Sequence, residues 1–151
     1  MSIFNGIHTS GSALTAQRLR MDTISSNIAN AETTRATINE DGEFEAYRRK
    51  TVRFQEQGQT FANQLSRVRN KQPGTGSGVK VTAIMEDDEP FMMVYNPNHP
   101  DAGADGYVQM PNVDPLQEMV DLMSATRSYE ANVTSMNATK GMLLKALEIG
   151  R

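Results

Sequence analysis

His8 and His99 are the only histidines in the sequence, and cysteine is absent. Disulfides, thiolate metal sites and cysteine nucleophiles are thereby excluded. Asp101 and Asp105 follow His99 closely enough to share a weak cation site with it, yet a histidine beside Pro100 reads more simply as part of a solvated turn. The run "EDDE" (86–89) lacks the spaced ligands and glycine of a calcium loop and is expected at a charged hairpin tip. "GTGSGVK" has the glycines of a phosphate-binding loop, but no Gly-Lys-Ser/Thr opens a helix there, and Lys80 falls in a strand pattern. No serine stands in G-x-S-x-G, and no His or acid is placed to complete a triad. "NVT" (132–134) and "NAT" (137–139) match the glycosylation acceptor pattern inside a helical stretch, where chance is the better account. "YRRK" (47–50) with Arg53 reads as a solvated strand face, or as a surface for an acidic neighbouring subunit. The residues therefore predict no catalysis, no cofactor and no metal.

Composition narrows the class. The 151 residues are 38% hydrophobic, carry no Trp, and have a mean hydropathy of -0.52, low for a compact globule. Seven of the nine aromatics, from Phe44 to Tyr107, lie in the middle of the chain, so the ends are built from aliphatics and Met. The net charge of -3 hides no basic segment able to neutralise a phosphate backbone, which argues against nucleic acid. No apolar run is long enough to span a membrane. The start, "MSIFNGIHTSGS", lacks the basic and apolar regions of a cleavable leader.

Two amphipathic ends flank a different grammar. Ile7, Leu14, Met21 and Ile28 recur every seven residues, with Ile3, Ser10, Gln17 and Ile24 in the second seam position. This predicts a helix from Ile3 to Asn30, about 42 Å long. At the other end Asp114 is an N-cap, Pro115 a first helical residue, and Gln117 completes a capping box. A seam of Leu122, Thr126, Tyr129, Val133, Met136, Lys140, Leu143 and Leu147 follows, and Gly150 supplies the stop. That helix would be about 52 Å long, a length typical of assembled helices. Met119, Val120 and Met123 form a leftover apolar stripe off the seam. Between the helices, 43–56 reads as an exposed strand, 78–86 alternates with period two, and 91–101 reads as a strand followed by a turn on Pro97 and Pro100, with a flexible loop near 70–78.

The predicted fold is α+β: an antiparallel coiled coil of N- and C-terminal helices with a small β-rich insert. The segments are 1–34, 35–112 and 113–151. One seam per helix offsets too little backbone entropy over about sixty residues, at about 1–2 kcal/mol each, so the ends are expected to complete their folding on assembly.

"ISSNIANAETT" (24–34) resembles the N-terminal signature of the flagellar rod and hook family, with Asn27, Ile28, Ala29, Asn30 and Thr33 in the matching places. Where most relatives continue Pro-Gly-Tyr, this chain has Thr34, Arg35 and Ala36, as in the proximal-rod branch. "GVKV", "YNPNHPDAGADGYVQMPNVDP" and the stretch 118–150 are similar to that branch as well. The resemblance implies a structural subunit of a helical shaft that transmits motor torque to the hook. It implies export through the flagellum's own type III apparatus with an uncleaved N-terminus. The implied partners are proximal and distal rod subunits and the adapter protein between rod and membrane ring. The expected assembly interface is Ile7, Leu14, Met21, Ile24, Asn27, Ile28 and Asn30 with Leu122, Tyr129, Val133, Met136, Leu143 and Leu147. The amides of Asn27 and Asn30 are expected to satisfy backbone groups at the helix end or to bond across to a neighbouring subunit, fixing register as a buried polar residue does in a coiled coil. The alternative is a cytosolic adaptor or chaperone that holds partner helices.

Overall fold

A computed structural model describes residues 4–39, 42–57, 65 and 78–150. Ile3 and most of the loop near 70–78 lie outside them. Helix α1 (Phe4–Ala29) and helix α2 (Pro115–Ile149) pack against each other in an α+β fold, with a β-rich region between them in sequence. A methyl group on Gly6 would meet Thr139 at 4.0 Å, while Asn27 bonds Glu118, so the helices run antiparallel.

Both helix ends follow from local chemistry. The Asp114 carboxylate accepts the Leu116 N–H at 2.9 Å, and its carbonyl accepts the Glu118 N–H at 3.0 Å. The first bond occupies one of the donors that a helix start leaves open, and the second is the first bond of the helix itself. α1 ends at Ala29, where Asn30 turns its amide back: Nδ2 donates to the Ser26 carbonyl at 2.9 Å, and Oδ1 accepts from the Thr33 hydroxyl at 3.2 Å. A simple asparagine stop therefore accounts for Asn30.

The strands form three two-stranded sheets. β1 (Thr37–Ile38) pairs antiparallel with β2 (Phe44–Glu45), β3 (Lys50–Glu56) with β4 (Val79–Glu86), and β5 (Met92–Tyr95) with β6 (Tyr107–Met110). The single strand expected over 43–56 is broken, because 46–49 leave the ladder to serve the side-chain cluster described below. In the β5–β6 hairpin Val94 faces Val108 and Tyr95 faces Tyr107, whose rings meet edge to face at 5.3 Å.

The described residues divide into two compact units. One comprises 1–20, 53–83 and 125–151, with Ser10, Ala16 and Ala125 buried. Here the Ser12 hydroxyl accepts the Val79 N–H at 3.1 Å, and Gly78 has φ +99° with no room for a Cβ against that hydroxyl. The other comprises 21–52 and 84–124, with Ile24, Asn27, Ala46, Tyr47, Val108, Val113 and Glu118 buried. In it Arg35 and Thr34 both bond Asp101, Thr34 at 2.8 Å. The Nδ1 of His99 accepts the Asp101 N–H at 3.1 Å, so this nitrogen and the Asp101 carboxylate are already engaged.

The bonds from Arg35, then from Thr34, hold the Asp101 carboxyl below its ordinary pKa. Asp101 thus contributes stability that is present above the ordinary carboxylate pKa of about 4 and lost as pH falls through the lower folded value. In Asp101→Asn the expected result is a small change at neutral pH and a shallower loss of stability below about pH 4. Urea unfolding across an acid pH series measures this; an unchanged acid slope would contradict it.

Candidate functional site

Asn27 is 1% exposed and its side chain is fully engaged. Nδ2 donates to the Lys50 carbonyl at 2.9 Å and to Glu118 Oε2 at 3.1 Å. Oδ1 accepts the Tyr47 hydroxyl at 3.0 Å and the Lys50 N–H at 3.0 Å. An asparagine amide offers two donor hydrogens and two acceptor lone pairs, and here all four are used. Toward Lys50 it behaves as a neighbouring strand would, meeting both backbone groups of the first residue of β3.

Glu118 completes the cluster. It is also 1% exposed, and its Oε1 accepts Arg49 Nε at 2.6 Å. Arg49 reaches Asp87 at 3.2 Å and Asp121 at 3.6 Å as well. Its backbone N–H donates to Asn112 Oδ1 at 2.8 Å, and its carbonyl accepts the Asp87 N–H at 2.8 Å. Partial burial disfavours the charged guanidinium, but the bonds and charges of Glu118 and Asp87 outweigh this and raise the Arg49 pKa above its ordinary value. The cluster joins the last turn of α1, the start of β3 and the first turn of α2. One guanidinium holds three carboxylates together here, and the bonds of Asn27 and Arg49 position these segments against one another.

Asn27 thus spends its amide on groups of its own chain. Its amide fixes register between segments of its own chain and has no bond left for a neighbouring subunit. The basic run "YRRK" likewise finds acids at home: Arg49 as above, and Arg48 with Glu45 at 2.7 Å. Glu118, Arg49 and Tyr47 escaped the sequence reading. The seam itself pointed to one of them, because a further step of four back from Leu122 lands on Glu118.

The expected interface residues fall into three groups. Ile24 is buried with Asn27. Ile7, Leu14, Met21, Ile28, Asn30, Leu122, Tyr129, Val133, Met136 and Leu143 are half-buried. Leu147 is 72% exposed, and Thr126 and Lys140 of the same seam are exposed too. Apolar surface also remains on α2. Leu116, Met119, Val120 and Met123, at helical spacing, are all about half exposed or more, as are Met142, Leu144 and Ile149 further along.

Residues 7–37 match the family described as flagella basal body rod protein, and residues 104–149 match the one described as flagellar basal body rod FlgEFG protein C-terminal. The chain is 59% identical to the flagellar basal-body rod protein FlgC of Bacillus subtilis (strain 168), over 100% of both chains. It is 43% identical to FlgC of Escherichia coli O6:H1 and 41% identical to FlgC of Salmonella typhimurium (strain LT2), again over 100% of both chains.

Proposed function

The chain belongs to the FlgC family of flagellar basal-body rod proteins, and from that footing we propose that it is a structural subunit of the proximal rod. Copies pack by their helices into a helical shaft that carries motor torque to the hook. The observation that supports this reading is the apolar stripe Leu116, Met119, Val120 and Met123, exposed along two turns of α2. Such a stripe on a helix that already has a partner is the mark of a surface to be covered by others. The half-buried seam from Ile7 to Ile28 and from Leu122 to Leu143, with exposed Leu147, supplies the remaining contact area.

The chain reaches its place through the flagellar type III export apparatus with its N-terminus intact. There it meets other rod subunits and the adapter protein between rod and membrane ring. No helix among the described residues is long and apolar enough to cross a membrane.

Deletion of the gene should abolish swimming, and the restored protein should co-purify with detergent-resistant basal bodies. Motile deletion cells, or a restored protein that stays in the cytoplasm of swimming cells, would overturn the reading.

A further inference from the structure

The net charge of -3 conceals a separation of charge between the two compact units. Among the described residues, the unit of 1–20, 53–83 and 125–151 has seven Lys and Arg against three acids, a net +4. The unit of 21–52 and 84–124 has four against thirteen, a net -9. From Val81 to Thr126 the chain contains no Lys or Arg at all. The cations of the acidic unit are engaged within it: Arg35 with Asp101, Arg48 with Glu45, Arg49 with Glu118, and Lys50 over the Tyr47 ring. Asp88 and Asp105 are exposed and stand outside those pairs, and so do exposed Lys80 and Lys140 on the basic unit. Helix dipoles favour acids in a first turn and bases in a last turn, but they do not reach Asp88, Asp105 or Lys80, which lie on loops and a strand.

We infer that the acidic unit of one copy docks on the basic unit of the next. The inference rests on the reading above and adds the partner and the polarity of the contact. Each unit also presents apolar surface: Leu116, Met119, Val120 and Met123 on the acidic one, and Met142, Leu144, Leu147 and Ile149 on the basic one. Burial of these side chains supplies affinity, and opposite potentials supply direction and rate while rejecting like-to-like pairings. Since the two surfaces differ, the contact is heterologous and does not close on itself, which generates an open helical array.

The test uses the purified full chain and sedimentation velocity. Self-association is expected to weaken at least about tenfold as ionic strength rises from about 0.01 M to about 1 M, where the Debye length shrinks from about 30 Å to about 3 Å. Asp88→Lys with Asp105→Lys, and separately Lys80→Glu with Lys140→Glu, are each expected to weaken it by about tenfold or more. Circular dichroism confirms that each variant is folded, and an equimolar mixture of the two should associate again. Salt-independent association, a monomeric wild type at low salt, or a mixture no better than its components would overturn the inference. These outcomes leave the rod reading standing, because that reading fails on motile deletion cells or on a wild-type chain absent from basal bodies.

Discussion

Arg49→Met is expected to destabilise the unit of 21–52 and 84–124 by about 3–5 kcal/mol in urea unfolding at neutral pH. The variant keeps the apolar stem and removes the charge that faces Glu118 at 2.6 Å. Glu118, 1% exposed, would then hold a carboxylate in low dielectric with only the Asn27 amide and the helix start to stabilise it. Asp87 and Asp121, already within 3.2 and 3.6 Å of the lost guanidinium, would add repulsion. The companion substitution Glu118→Gln removes the stranded charge while keeping an acceptor for Asn27. The double variant is therefore expected to recover most of the loss, leaving about 1–2 kcal/mol. If Arg49→Met alone is neutral, or the double variant is worse than the single, the cluster does not hold the unit together by charge pairing.

Asn27 should show a different ordering. Asn27→Ala leaves the Lys50 N–H, the Lys50 carbonyl and the Tyr47 hydroxyl without their partner, at about 1–3 kcal/mol for each group that water does not reach. A loss of about 2–4 kcal/mol is expected, since Tyr47 retains a long contact with Ser26 at 3.4 Å. Asn27→Asp, nearly identical in shape, should be more damaging at neutral pH. It removes both donors and places a second carboxylate where Asn27 now donates to Glu118 at 3.1 Å. Unfolding midpoints should rank wild type above Asn27→Ala above Asn27→Asp. An Asp variant as stable as wild type would mean that the amide's donors are unimportant.

The helices were legible because their signals are local. Asp114, Pro115 and Gly150 mark α2 by capping chemistry, and the repeat from Ile7 to Ile28 marks α1 by spacing, neither needing knowledge of the rest of the chain. The strands were legible in part. β4 alternates cleanly, whereas β1 is two residues long and β6 follows a turn-rich stretch, so neither offers a period to detect. The polar cluster was hidden for a stronger reason. Arg49, Asp87 and Glu118 come from three segments, and a basic run beside an acidic run looks the same in sequence whether the partner is solvent, another subunit or the same chain. Asn27 stood out as a poor helix former one turn before a helix end, but nothing in its spacing says whether its partners come from its own chain or from a neighbour.

The bond between Asn27 and Glu118 spans 91 positions of the chain. During synthesis, at about 5–20 residues per second, Asn27 is made roughly 5 to 20 seconds before Glu118. Throughout that interval the tail of α1 lacks α2, although β3 follows it after 23 residues, and the Asn27 amide has no Glu118 to meet. Order of emergence thus gives the cell a brief window in which the nascent N-terminus can be handled before the chain fastens upon itself.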